Sequence, residues 1–494
     1  MKKLLLLSLA IIGQINLLCA ETYVLDLEKS IELAKNKSYE MQRLKQSLKI
    51  AAFNLKSTTS SFKTHVDLNL VSPQYTETIE QYQDSNGISF FPIKQLNYQG
   101  NLTINQPLPT DGRLYIKSGL SDIDDYNFDK RSMYLNTQFG LTQPLDALYG
   151  GYNTIKSSYK KAKLAYENSQ KQLKREELNL IYEVSSAFYS LLSVQKGEEI
   201  ARQNLDRQKE ANEIAQSKYK SGLIKEVDAL QMEVDLAEAQ NNYDLSLINK
   251  SSAMNAFKET IGIEFSDSVA LNNTLTYEVV IVDPERAVSL ALANRLEIRE
   301  QEIQIELNKL SIKQQRSQGM IQGDLTAYYQ KNGVSSDNFS TGFSNSLNNS
   351  FSDLKNRPQN YGIGLNISIP LIDWGENRAL VNAAKAQLKQ NEYQKEEVKR
   401  SIEREVRNLV DDLNSSLKRL QLLEKNVTVA EKSFEITRRR FADGDIDSQA
   451  LALERDRLNN AYTSHLSAYI SYQLKLADLM RKTFYDFQHD LPIN

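Results

Sequence analysis

Ile369-Pro370-Leu371-Ile372-Asp373-Trp374-Gly375 closes a run in which apolar and small residues alternate. It opens a second run in which apolar residues return every three or four positions. These seven residues mark a change from strand period to helix period. Gln143-Pro144-Leu145, followed by Gly150-Gly151, makes the same change earlier in the chain. A switch written twice directs attention to everything around it.

Outward from these two points the correspondence continues. Leu27-Glu28-Lys29-Ser30-Ile31-Glu32-Leu33-Ala34 reads like Pro284-Glu285-Arg286-Ala287-Val288-Ser289-Leu290-Ala291, and Glu40-Met41 answers Glu297-Ile298. Further on, Lys218-Tyr219-Lys220-Ser221-Gly222 answers Arg440-Phe441-Ala442-Asp443-Gly444. Each half thus reads medium helix, strands, long helix, glycine turn, medium helix. The division is a first repeat over 21–262 with strands at about 62–143, and a linker or equatorial segment over 263–283. A second repeat follows over 284–483 with strands at about 323–371, then a tail over 484–494.

The helices follow from spacing. Ile181, Val184, Phe188 and Leu191 step by three and four; Ile402, Val406, Leu409 and Leu413 do the same in the second half. Leu458, Tyr462, Tyr469, Tyr472, Leu476 and Leu479 form the last stripe. Such stripes predict helix-on-helix packing with a heptad-like seam. From Tyr152 to Tyr219, and from Glu376 to Phe441, only Gly197 interrupts the good helix formers. At 1.5 Å per residue each run spans on the order of 100 Å. The helices expected near Leu25 and Glu226 are about 55–60 Å each. Antiparallel helical hairpins accommodate these lengths.

Between the helices the period is two. Leu96, Tyr98, Leu102, Ile104 and Leu108 alternate with Asn97, Gln99, Asn101, Thr103 and Asn105; Met133, Leu135, Phe139 and Leu141 alternate with Tyr134, Asn136, Gln138 and Thr142. Tyr361, Ile363, Leu365, Ile367 and Ile369 alternate with Gly362, Gly364, Asn366 and Ser368. Shorter matches are Val66-Leu68-Leu70, Leu114-Ile116-Leu120 and Leu325-Ala327-Tyr329. One face apolar and one face small or polar but uncharged suits a membrane β-barrel with lipid outside and water inside. Glu77 to Phe90 and Asn332 to Asn356, rich in Ser, Asn and Asp, are expected to be extracellular loops. Tyr75, Phe90, Phe91, Tyr126, Phe128, Tyr328 and Phe339 are candidates for interfacial aromatic girdles.

Composition narrows the function. Basic and acidic residues are interspersed and nearly balanced, at 60 and 63, so no block points to nucleic acid. No P-loop or phosphate cradle occurs, and the three histidines, His65, His465 and His489, have no metal-ligand partner at i+3 or i+4. Neither a catalytic set nor a cofactor is implied. Lys2-Lys3, the apolar run Leu4 to Ile12 and the small residue Ala20 predict an export signal over 1–20. The single cysteine, Cys19, falls inside that signal; cleavage after Ala20 is favoured over lipidation of Cys19, because Leu18 is larger than a lipoprotein site accepts.

The order of parts, together with Ile369 to Gly375, the turns at Gly222 and Gly444 and the Leu27 to Ala34 segment, resembles the TolC family of outer-membrane efflux proteins. The resemblance covers nearly all of the chain after the signal. It implies a mainly α fold with a membrane β-barrel portion: a homotrimer whose strands share one barrel in outer-membrane lipid, continuing into a helical tunnel through the periplasm. It also implies docking to a periplasmic adaptor and an inner-membrane pump or ABC transporter, as the exit duct of an efflux or type I secretion system. The family has two strands in each half, whereas the first half here offers four, with Pro109-Thr110-Asp111-Gly112 as a turn between the middle pair. The competing expectation is an exported structural or adhesive coiled-coil protein with a β head, which requires parallel helices.

By the same resemblance, Ser221-Gly222-Leu223 and Asp443-Gly444-Asp445 lie at the periplasmic tip where adaptors dock and the tunnel narrows. Asp228 falls where the family places a carboxylate in its closing network. Asp445, Asp447 and Glu454 would form an acidic ring when tripled. The family's arginine after the second glycine is replaced by Ile446, with Arg438, Arg439 and Arg440 before the turn as substitutes.

Overall fold

A computed structural model of the protein describes residues 22–85, 87–148, 151–271 and 275–493. The expected export signal and Cys19 lie outside them, as does Gly150. The chain divides into two compact units. One comprises residues up to Leu48, Gln170–Arg299 and Glu396–Asn494; the other comprises Lys49–Ser169 and Glu300–Lys395.

The second unit holds a six-stranded sheet with strands β2 (His65–Asp84), β3 (Gly87–Pro107), β4 (Arg113–Asp125), β5 (Lys130–Pro144), β7 (Gln322–Asn338) and β8 (Asn360–Ser368) in that order. All neighbours are antiparallel. All four strands of the first half join the two of the second. Cross-strand partners share a face, so the register sorts the side chains. Leu68 pairs with Leu102, Ile104 with Ile116, Ile116 with Phe139, Phe139 with Tyr329, and Tyr329 with Tyr361, giving one apolar face. Asn69, Asn101, Gly119, Asn136 and Asn332 form the polar face by the same chain of partners. Much of the apolar face is bare: Leu68 is 64% exposed and Ile363 81%.

Three expectations about this unit change. The Glu77 to Phe90 stretch is strand rather than loop, because β2 and β3 remain paired up to Asp84–Gly87, with one register shift between Val71 and Gln74. The Asn332 to Asn356 stretch is the end of β7, a single 3-10 turn at Phe339–Thr341 and helix α7 (Gly342–Asn356). Tyr328 also leaves the proposed girdle. It pairs with Gly140 and Gly362 on the polar face, and its ring occupies the space a side chain at Gly362 would need.

The helices of the chain are α1 (Leu27–Lys37), α2 (Tyr39–Ser60), α3 (Thr154–Lys220), α4 (Glu226–Ile261), α5 (Pro284–Asn294), α6 (Leu296–Gln318), α8 (Glu376–Asp443) and α9 (Ser448–Thr483), besides α7. Each half therefore has two short helices where one medium helix was expected. Ser38 (φ −62°, ψ 138°) and Arg295 (φ −64°, ψ 128°) take extended backbone and divide them. The break at Ser38 packs against Gly262, where an added Cβ would sit 2.8 Å from Ser38 Cα.

In the first unit the core is built largely from the predicted stripes, with Val410 buried where Leu409 was expected and Leu409 only partly buried. Val184, Leu191, Val406, Val410, Leu413, Leu420, Tyr472 and Leu479 are all fully or almost fully buried. Strand β1 (Thr22–Leu25) pairs in parallel with β6 (Ser268–Leu271). Tyr472 fixes the segment after β6: its hydroxyl donates to the Glu278 carbonyl at 2.8 Å and accepts from Val280 N–H at 3.1 Å.

Candidate functional site

The two glycine turns end α3 and α8. Gly222 has φ 69° and Gly444 φ 91°, a region in which an L side chain is strained. Each turn satisfies the last helix carbonyls in the same way. Gly222 N–H donates to Tyr219 O and Leu223 N–H to Lys218 O, both at 2.9 Å; Gly444 N–H donates to Phe441 O at 3.1 Å and Asp445 N–H to Arg440 O at 2.9 Å. That pair of bonds is the Schellman cap, which glycine permits because it has no Cβ.

Lys218 brings the turns together. Its ammonium group donates to the Phe441 carbonyl and lies 4.9 Å from the centre of the Phe441 ring. Between the turns is a groove of about 440 Å³ lined by Lys218, Leu223, Asp228, Gly444 and Asp447. Leu223, Asp443, Asp445 and Asp447 are exposed. Asp447 is also the cap of α9, its carboxylate accepting from Ala450 N–H at 2.9 Å.

Of the arginines expected to close the site, Arg438 and Arg439 are engaged elsewhere within the chain. Arg438 pairs with Glu210 at 2.6 Å and Glu435 at 3.2 Å, and Arg439 with Glu435 at 3.0 Å. Bonds from Arg438 and Arg439 hold the Glu435 carboxyl below its ordinary range. Arg440 lends its carbonyl to the second turn. Glu454 accepts from Ser433 Oγ at 2.9 Å and pairs with Arg457. Among the described residues, the Asp228 carboxylate meets no arginine of its own chain.

Behind the turns lies a polar cluster that sequence reading missed. Arg455 donates to Gln208 and pairs with Asp235 at 3.3 Å, and both charged side chains are almost enclosed, at 15% and 11% exposed. Gln208, 1% exposed, reaches back to the Met232 carbonyl at 3.4 Å. Three helices, α3, α4 and α9, are thereby tied by one guanidinium group. Nothing in the local sequence signals it, since the residue types are ordinary and the partners are distant in the chain.

A two-faced antiparallel sheet, paired long helices and paired glycine turns in one chain define the class of outer-membrane channels. Solved structures share that fold. The Campylobacter jejuni CmeC outer membrane channel matches with a TM-score of 0.67 at 16% identity, over 95% of this chain and 86% of that one. The outer membrane protein VceC from Vibrio cholerae gives 0.66 at 16% identity, over 92% and 95%. The Neisseria gonorrhoeae MtrE outer membrane channel, in its open state, gives 0.65 at 15% identity, over 92% and 88%. No curated protein matches the sequence. The family described as Outer membrane efflux protein matches residues 95–262 and 287–482, more than half of the chain. The chain belongs to that family, and it is an outer-membrane efflux channel, not a member of an enzyme family.

Proposed function

We propose that three copies of this chain close one barrel of eighteen strands, six from each copy, as the passive exit duct of a tripartite system. The observation that carries this reading is the open sheet. Within the described residues β2 and β8 each have one unpaired edge, and the face between them is apolar and bare. Lipid does not tolerate unpaired backbone, so the edges require partners, and other copies of the same sheet supply them. A closure of this size leaves an aqueous channel.

Helix surfaces support the same assembly. Leu422, Val429 and Ile436 repeat every seven residues on α8 and are each at least 60% exposed. Val227, Leu230 and Val234 form a bare stripe on α4. Both stripes suit packing against a neighbouring copy in a tunnel wall. The turns at Ser221–Leu223 and Asp443–Asp445 then form the tip that engages an adaptor, and the pump behind it supplies the energy. Asp228, without an arginine in its own chain, pairs with one of Arg438, Arg439 and Arg440 when the aperture is closed. Asp445, Asp447 and Glu454 add acidic charge around it.

Membrane fractionation with electrophoresis of heated and unheated samples tests the assembly: the expected result is an outer-membrane trimer that dissociates on heating. A soluble monomer would overturn it. For the gate, Asp228→Lys should raise single-channel conductance in a planar bilayer, and unchanged conductance would remove Asp228 from the closing network.

A further inference from the structure

Helix α7 is amphipathic, and it packs with an unexpected face. Ser346 and Ser350 are completely buried against the sheet, where Ser350 Oγ donates to the Met133 carbonyl at 3.2 Å and the Ser346 carbonyl accepts from Ser335 Oγ at 3.1 Å. Asp353 accepts from Val334 N–H at 2.7 Å, covering the edge of β7 beyond Gln330, where its pairing with β8 stops. Gly333 permits the approach, since a Cβ there would lie 2.2 Å from the Ser350 carbonyl.

The apolar residues of α7 are left beside this docked face. Phe343, Leu347, Phe351 and Leu354 recur at intervals of four, four and three, so they form one stripe. Phe343 is 47% exposed and Phe351 51%. The remaining side, Ser344, Asn345, Asn348, Ser352 and Lys355, is polar and exposed. The docked face carries the two serines, Leu347 and Leu354 are half-buried at its margin with Leu354 against Gly333, and the two phenylalanines are left bare.

We infer that α7 is a membrane-interface helix that inserts its Phe343–Phe351 stripe among the acyl chains of the outer leaflet. The inference rests on the barrel reading, in which the apolar face of the sheet meets lipid. Two observations name lipid as the occupant. Met133 and Ser335, which hold α7, share the face of Leu135, Phe139 and Tyr329, so the helix lies on the lipid side. Phe343 also overhangs a groove of about 680 Å³ whose floor is Leu70, Tyr98, Gly100 and Leu120, so the stripe is continuous with the apolar face. The same groove is lined by Asp122 and Arg131, 3.4 Å apart, where the apolar face gives way to charge. A helix with aromatic residues toward lipid and Asn, Ser and Lys toward water suits that boundary.

Tryptophan quenching in proteoliposomes of phosphatidylcholine brominated high in the acyl chain tests this. Trp374 is the chain's single tryptophan and is replaced first, Trp374→Phe. In that background Phe343→Trp reads the helix and Leu68→Trp reads the sheet. Both should lose emission relative to unbrominated lipid, because an inserted apolar face lies at the acyl-chain boundary. If Leu68→Trp is quenched and Phe343→Trp is not, α7 faces water or a neighbouring copy and the inference is overturned; a red or blue emission maximum tells which. If neither is quenched, the barrel reading fails and takes this inference with it.

Discussion

Asp111, in the turn between β3 and β4, accepts a hydrogen bond from the backbone N–H of Ile155 at 2.8 Å and another from that of Thr154. The turn of the additional hairpin is thus fastened to the start of long helix α3. Thr110 and Gln143 add a second attachment, Thr110 Oγ1 donating at 2.7 Å and Gln143 Nε2 donating back to the Thr110 carbonyl at 2.8 Å. The second half reaches the same end with local residues: Asp373 accepts from Gly375 N–H at 2.9 Å and Asn377 N–H at 3.1 Å, which keeps its carboxyl below the ordinary range. A four-strand first half is therefore anchored where a two-strand half would be.

Asp111→Ala should lower stability by about 1–2 kcal/mol, because it removes the acceptor for two helix N–H groups and places alanine at φ 64°. Asp111→Gly should cost less, since it relieves the backbone while still losing the cap. Thermal denaturation of the detergent-solubilised protein, followed by circular dichroism, ranks the two.

The glycine turns make a cleaner backbone test. An added Cβ at Gly222 meets nothing within 4 Å, so Gly222→Ala isolates the cost of positive φ, about 1 kcal/mol. Gly222→Asn should be better tolerated, as asparagine adopts this region more readily. Chemical denaturation followed by far-ultraviolet circular dichroism distinguishes them.

Those turns were legible from sequence because glycine is the residue that takes that backbone most readily, and the long helices because their apolar spacing never breaks. The hairpin above the sheet was not. Polar residues occupy both faces of Thr76 to Glu80, so the period-two signal is lost although the backbone ladder continues. Helix α7 was missed for a related reason. Serine and asparagine have poor helix propensity, and what holds the helix is docking onto β5 and β7, a tertiary effect. The Gln208–Asp235–Arg455 cluster left no trace because long-range polar contacts have no local pattern. Asp228 and the arginines were placed near the turns by resemblance; within one chain Arg438 and Arg439 pair with glutamates instead.

A charged network in the helical unit sets a pH dependence. Arg295 pairs with Glu297 at 2.6 Å and with Glu405, which also meets Lys482 at 2.8 Å. Burial opposes ionisation of both glutamates, but the bonds from Arg295 and Lys482 outweigh it and hold both carboxyls below their ordinary value. Their stabilisation is present above the unfolded glutamate pKa of about 4.3 and is lost as pH falls through the lower folded values. The melting temperature should therefore drop as pH is lowered from about 5 to about 3. Arg295→Met should lower it at neutral pH and flatten this part of the profile, which calorimetry at a series of pH values measures.

Arg455 gives the sharpest test of what stiffens the region behind the turns. Arg455→Met keeps the length of the side chain but leaves Asp235 enclosed without its partner and Gln208 without a donor. Removing one member of a buried pair costs about 3–5 kcal/mol, because the other charge stays desolvated. Asp235→Asn together with Arg455→Met removes both charges, so the double variant should be less destabilised than Arg455→Met alone. The cluster joins α3, α4 and α9 close to the groove that contains Asp228. Loosening it should therefore also broaden the distribution of single-channel conductances, whereas Asp228→Lys should shift its mean. If Arg455→Met changes stability and leaves the conductance distribution unaltered, the cluster holds the helices together without governing the aperture.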